Sequence, residues 1–110
     1  MLPEENRLKL KRDFDRTYRR GKNAATALLA LYCGRRQPGP ARVGFSVSRK
    51  VGKAVERNRV KRQLRHMALA RLNKFRPGYD YVFVVRRAAM TADRSLLEQH
   101  LDRLLREMDK

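Results

Sequence analysis

Hydrophobic and polar positions divide this chain into segments with different periods. From Arg42 to Ser48 they alternate, with Val43, Phe45 and Val47 on one side and Gly44, Ser46 and Ser48 on the other. That pattern predicts a half-buried strand whose second face is small, polar and open. Tyr79 to Val85 is apolar almost without interruption, which predicts a central strand buried on both faces. From Ala54 or Val55 to about Asn73, Val60, Leu64, Met67 and Ala68 recur at three-to-four spacing, the core stripe of a helix. Thr91 to Met108 carries Leu97, Leu101, Leu104, Leu105 and Met108 on one face and reads as a final helix, with Ser95 and Glu98 at capping-box spacing.

The remaining segments are shorter. Lys11 to Arg20 predicts a helix with Asp13 near its start, Gly21 as its stop, and Phe14 and Tyr18 sharing a face. Ala24 to Cys33 is apolar without helical spacing and reads as a strand, with a helix as the competing reading. Gln37-Pro38-Gly39-Pro40 and Arg76-Pro77-Gly78 are breaks, and 49–53 is a loop around Gly52. Residues 1–11 read as an extended basic arm. The order is helix, strand or strands, strand, helix, strand, helix: a single α+β domain over residues 1–110, a small sheet with helices packed on it. No internal repeat and no separating linker is present.

Charge changes the picture more than composition does. The 110 residues include 28 Lys plus Arg against 11 Asp plus Glu, a formal net charge of +17. At this size the self-repulsion opposes compactness and calls for a neutralising partner. Twenty of the basic residues are arginine, whose planar fork grips phosphate with two hydrogen bonds and stacks on bases. The charge is uneven. Residues 7–22 hold eight basic residues and two acids, 42–65 hold nine basic residues and one acid, Glu56, and 90–110 are near neutral. This points to one surface made from two segments, with RNA as the first candidate polyanion. The longest apolar stretch, 24–33, is too short for the roughly 20 residues of a bilayer span. The first ten residues lack the apolar region of a signal peptide, so a cytoplasmic protein without membrane attachment is expected. Cys33 is the only cysteine and reads as a small buried residue.

Two constellations carry candidate chemistry. At 100° per residue, Asn58, Lys61, Arg62 and Arg65 fall within an arc of about 100° on the middle helix, while Val60, Leu64 and Met67 lie on another arc. Arg57 and Arg59 sit near the positive end of the helix macrodipole, an unfavourable place that anion binding would offset. Asn58 has an alternative role as a helix cap, and Arg59 points off the main arc, toward another strand of ligand or an acid. On the first helix, Phe14 and Tyr18 stand among Lys9, Lys11, Arg12, Arg16, Arg19 and Arg20. Aromatics interleaved with cations suit a single-stranded nucleic acid, but the same spacing serves a core-facing stripe, and Tyr32 shares that ambiguity.

The segment RVGFSVSRKVGKAVERNRVKRQLR closely resembles the hallmark segment of the bacterial ribonuclease P protein subunit, and RLKLKRDFDRTYRRGK and GYDYVFVVRRAAM resemble that family in type and order. The resemblance implies a four-stranded mixed sheet with three helices in α-β-β-β-α-β-α order and a left-handed strand–helix–strand crossover, an exception to the usual hand. It implies a subunit that assists a catalytic RNA in magnesium-dependent removal of the 5′ leader from precursor tRNA, the protein alone being inactive. Contacts with that RNA would fall on Arg49, Lys50, Lys53, Arg57, Asn58, Arg59, Lys61, Arg62 and Arg65. The leader would lie against Lys11, Arg12, Phe14, Tyr18, Tyr32, Ser46 and Ser48, with Tyr18 standing where a phenylalanine is familiar in some members. Magnesium would be held mainly by the RNA, with Asn58 near it, and no protein partner is required.

Three rivals remain at this stage. A ribosomal protein or RNA chaperone fits the composition but not the hallmark segment. A self-sufficient nuclease needs clustered His, Asp or Glu, and His66 and His100 lie on separate helices. A helix-turn-helix DNA binder is disfavoured by the strand from Tyr79 to Val85.

Overall fold

A computed structural model describes residues 2–36 and 38–109, with Arg20 described by its backbone alone. The first residue of the Gln37-Pro38-Gly39-Pro40 break and both chain ends therefore lie outside the described residues. The elements are α1 (Lys11–Arg20), β1 (Lys22–Ala25), β2 (Leu29–Arg35), β3 (Arg42–Ser46), α2 (Ala54–Ala70), β4 (Tyr79–Val85) and α3 (Arg94–Met108), with short 3₁₀ turns between them. One mixed sheet has the order β1-β2-β4-β3. β1 and β2 pair antiparallel, as do β2 and β4, while β3 runs parallel to β4. α2 makes the crossover between β3 and β4, as a parallel pair demands. β4 has a neighbour on both sides and is buried almost throughout, as its unbroken apolar run predicts.

One face of the sheet carries the core. Leu29, Leu31, Val43, Tyr81, Phe83 and Val85 meet Val60, Leu64, Met67 and Ala68 of α2 and Leu97, Leu101, Leu104 and Leu105 of α3. Each fully buried Leu, Val or Phe here contributes about 1.5–3 kcal/mol. Arg71 just past α2 clasps α3, with its Nε 2.5 Å from Asp102 Oδ1 and an Nη 2.9 Å from Glu98 Oε2.

Four expectations change. The single strand over 24–33 is a hairpin. Thr26 N–H donates to Leu29 O (2.8 Å), and the Thr26 hydroxyl accepts from Leu28 N (3.3 Å) and Leu29 N (3.2 Å), so a buried threonine turns the chain inside the apolar run. The N-terminal residues are not an extended basic arm. Leu2 and Leu8 are buried, a 3₁₀ turn spans Glu4–Asn6, and Leu8 N–H donates to Val43 O (3.1 Å). β3 is an edge strand, and this segment covers its otherwise open hydrogen-bonding groups. α2 ends at Ala70, short of Asn73, and a separate 3₁₀ turn takes Leu72–Lys74. α3 is capped by Asp93, whose carboxylate accepts from Leu96 N (2.8 Å), rather than by Ser95, and Glu98 is occupied with Arg71.

Candidate nucleic-acid interface

The second face of the sheet is covered along only part of its length. Strand register lays out its side chains in three rows: Gly34–Asp80–Arg42, then Tyr32–Val82–Gly44, then Ala30–Val84–Ser46. α1 crosses the first two. Thr17 sits on Gly34, where an added Cβ would meet the Thr17 Cα at 3.6 Å. Phe14 sits on Gly44 so closely that a Cβ there would lie 2.5 Å from its ring. Tyr18 meets Tyr32 edge to face, centroids 5.0 Å apart. Val82 is consequently sealed, while Ala30, Val84 and Ser46 in the third row stay half open. The small residues in the predicted open face of β3 thus have two jobs: Gly44 admits an aromatic ring, and Ser46 floors a cleft.

Phe14 and Tyr18 pack on the sheet and still keep part of each ring open. Each is half-buried, with one side of the ring packed and the other bordering the open row. Lys11 lies on the same flank and pairs with Asp15 (2.8 Å) in solvent. Arg12 does not share that flank. It lines a separate cavity with Arg16, Arg35, Arg36 and Arg42, on the opposite side of α1. At the other end of the cleft, where β3 and β4 finish, stand exposed Ser48, Arg49, Lys50, Arg86 and Arg87. Ser48 accepts from Lys50 N–H (3.2 Å), and Arg87 donates to Lys50 O (2.5 Å), fixing the loop to the end of β4. Arg86 and Arg87 escaped the sequence reading, although a basic pair directly after a buried strand is itself a signal.

α2 divides its cations into two groups. Arg57 donates to Gly52 O (2.6 Å) and Arg59 to Met90 O (2.8 Å). Both therefore brace the helix start against neighbouring backbone, and the partner for Arg59 is a carbonyl rather than an acid. Among the described residues, the side chains of Lys61, Arg62 and Arg65 make no hydrogen bond or ion pair within the chain, and Arg62 and Asn58 are exposed. Asn58 lies one turn inside α2, so it is not the cap. Lys53 holds that position, its N–H donating to Glu56 Oε1 (2.9 Å). Arg65 reaches round the β3 edge and lines a cavity of about 210 Å³ with Arg7, Lys9, Phe14 and Gly44. The α2 surface and the aromatic flank of α1 are therefore continuous around that edge.

Beneath α1 lies a group that sequence reasoning passed over. Asp80 is buried at one end of this face, on the central strand β4, and accepts from Arg42 Nε (2.9 Å) and Nη (2.8 Å), Arg36 Nε (2.8 Å) and Arg16 Nη (3.4 Å). Burial pushes its carboxyl up, but the hydrogen bonds and charges of Arg42 and Arg36 outweigh that and hold it below the ordinary carboxylate range. Asp80 raises the Arg42 guanidinium in return. A lone acid in an apolar strand was the available signal. Burial raises the Cys33 thiol, and raises the neighbouring Tyr81 hydroxyl to about 12, so neither ionises near neutrality. His66 is exposed on α2, and His100 Nδ1 meets Thr26 Oγ1 at 2.7 Å, far from it in role. Among the described residues no three His, Cys, Asp or Glu side chains come together to hold a metal ion, and Asp13 and Asp80 are taken up by guanidinium groups.

Fold and site define a class: a small polyanion-binding α+β protein with one packed sheet face and one cleft bordered by aromatics and cations. The ribonuclease P family profile matches residues 2–109. The chain is 39% identical over 105 residues to the ribonuclease P protein component of Clostridium botulinum (strain Loch Maree), covering 94% of this chain and 95% of that one. It is 40% identical over 118 residues to that of Streptomyces bikiniensis, covering 98% and 95%. Its structure is similar to the RNase P protein from Thermotoga maritima, with a TM-score of 0.84, 27% identity, and coverage of 94% and 98%. A Staphylococcus aureus RNase P protein gives a TM-score of 0.82 at 27% identity, covering 93% and 94%. The chain belongs to the bacterial ribonuclease P protein family. It is the RNA-binding protein component of a ribonucleoprotein endoribonuclease of tRNA processing, as the hallmark segment implies. No helix among the described residues is long and apolar enough to cross a membrane.

Proposed function

We propose that this subunit grips the ribonuclease P RNA with α2 and the loop before it, and holds the single-stranded 5′ leader of precursor tRNA in the cleft beside α1. The observation that carries this is the half-open row Ala30–Val84–Ser46, bordered by Phe14, Tyr18 and Tyr32 and ending at Ser48, Arg49 and Lys50. Its width is one row of side chains, which suits one unpaired strand and not a duplex. Bases stack on the aromatic flank, and phosphates meet the cations at the sheet end. Lys53, Arg57, Asn58, Arg59, Lys61, Arg62 and Arg65 face the RNA subunit, with Arg57 and Arg59 also bracing the helix. Cleavage chemistry belongs to the RNA, and magnesium is held there; the protein's part is to bind, orient and neutralise.

Reconstitution tests the reading. The chain is added to a bacterial ribonuclease P RNA at low magnesium and 5′ processing of precursor tRNA is followed. Restored processing that neither component gives alone is expected, and cleavage by the protein alone would overturn it. Phe14→Ala in the holoenzyme should lose about 1–3 kcal/mol of precursor tRNA affinity and leave mature tRNA affinity intact. Equal loss for both would refute the leader cleft.

A further inference from the structure

A cavity on the flank of α1 opposite Phe14 lies away from both surfaces described above. It has a volume of about 620 Å³ and is lined by Leu10, Arg12, Asp13, Arg16, Arg35, Arg36 and Arg42. Five guanidinium groups come from three elements: the flank of α1 opposite Phe14, the end of β2 with the residue after it, and the start of β3. Two carboxylates, Asp13 and Asp80, stand against them. Asp80 is the anchor. It fixes the forks of Arg42 and Arg36 from below, and Asp13 accepts from Arg16 (2.8 Å) with Arg42 Nη at 3.4 Å. Among the described residues, Arg12 and Arg35 have no acidic partner and are exposed. The cluster keeps a surplus of three positive charges around an open cavity.

This arrangement is not what stability requires. Two carboxylates buried with two guanidiniums would close the account, and a third arginine beside them adds repulsion. Guanidinium forks held in place by buried carboxylates are instead preorganised for a second, tetrahedral oxyanion. Location separates the cavity from both other surfaces. The body of α1 stands between it and the aromatic flank, so a strand lying in the cleft does not enter it. Arg42 and Ser46 lie at opposite ends of β3, roughly 13 Å apart at the strand rise, and Ser48 lies beyond the Ser46 end. The loop leading to α2 leaves from the Ser48 end.

We propose that this cavity is a second phosphate site, taking a phosphodiester of the RNA subunit at the end of the sheet opposite the start of α2. The inference rests on the reading of α2 as the RNA-subunit surface. A folded RNA spanning both ends fixes the orientation of the sheet, and with it the cleft, in a way that one contact does not.

The test uses the full chain and the intact RNA subunit, with affinity measured against salt concentration. Arg12→Ala/Arg35→Ala removes the two arginines without acidic partners and spares the Asp80 network, so its melting temperature should match the parent. Its log K versus log salt slope should fall by about 1.4–1.8, the loss of two phosphate contacts. Arg12→Lys/Arg35→Lys should recover most of the slope. Arg62→Ala is the control for the α2 surface. If its slope falls and that of the double alanine variant does not, the second site is wrong and the α2 reading survives; if neither falls, the α2 reading fails first. A loss seen only for precursor tRNA binding to the holoenzyme would assign the cavity to the leader and overturn the proposal. Inorganic phosphate separates the remaining source. Arginine Nε resonances of the cavity should shift with inorganic phosphate, and the RNA subunit should compete for the site, so that phosphate added to the complex no longer binds there; a cavity that takes inorganic phosphate equally well with the RNA subunit bound would be a free-phosphate site and overturn the assignment.

Discussion

Single side chains here carry structure and, in the proposed reading, recognition together. Phe14 packs onto Gly44 and still presents an edge to the cleft, and glycine is required beneath it because any Cβ would lie 2.5 Å from the ring and 3.1 Å from Leu8 Cβ. Gly44→Ala should therefore displace the ring, at a cost of about 1–3 kcal/mol in stability. The same variant should weaken precursor tRNA binding while leaving the salt slope for the RNA subunit unchanged. Thermal melts and the two binding assays check this, and a melting temperature equal to the parent's would contradict the packing. Phe14 was legible in the sequence as an aromatic among cations, and its dual role was not, because helical spacing does not say what lies beneath a ring. Arg12 shows the converse. Two residues from Phe14 on a helix, it is carried about 200° around the axis, and the sheet end, not the spacing, gives it its company.

At the scale of elements, α2 divides its work along its length. Its start is tied down through Arg57 to Gly52 O and Arg59 to Met90 O, and in its middle, among the described residues, the side chains of Lys61, Arg62 and Arg65 have no intrachain partner. Arg59→Ala should lower stability by about 1 kcal/mol through the lost bond to Met90 O as well as weaken RNA binding. Arg62→Ala should leave stability unchanged and lower the salt slope by about 0.7–0.9. Urea unfolding beside salt-dependent binding separates them, and equal stability loss in both variants would contradict the division. The period of hydrophobic residues predicted α2, β3, β4 and α3, since each is long enough or regular enough for its burial to show. It could not show the β1–β2 hairpin, because the turn at Thr26 is made by a hydroxyl inside an apolar run and carries no glycine or proline. Nor could it show that residues 2–8 dock, because the two leucines that anchor them fill a β3 edge defined only by the sheet order.

The whole molecule holds its charge by arranging it around a few acids. Asp80 is central to that arrangement, and its effect on pH dependence has a definite sign. Its folded-state carboxyl lies below the ordinary value of about 3.9, so it adds stability that is fully present above that value and is lost as pH falls through the folded one. Protonation of the acids also enlarges a net charge that is already +17, which works in the same direction. Urea midpoints measured downward from pH 7 should be flat to about pH 4 and then fall, and Asp80→Asn should flatten the acid limb. A variant whose acid limb matches the parent's would remove Asp80 from its central place.

By itself the sequence determined the α+β class, the helical and strand character of the long elements, the excess of cations, and the hallmark segment that names the family. These are properties of local period, of composition and of contiguous motif, and each is complete within a stretch of chain. Tertiary structure decided which cations are neighbours. Asp80 in β4, Arg36 after β2, Arg42 in β3 and Arg16 in α1 are far apart along the chain, and only the strand order β1-β2-β4-β3 and the crossing of α1 bring them to one end of the sheet. The same crossing leaves one row uncovered beside two that it covers, so the cleft exists where a helix stops covering a sheet, a boundary that no segment of sequence contains.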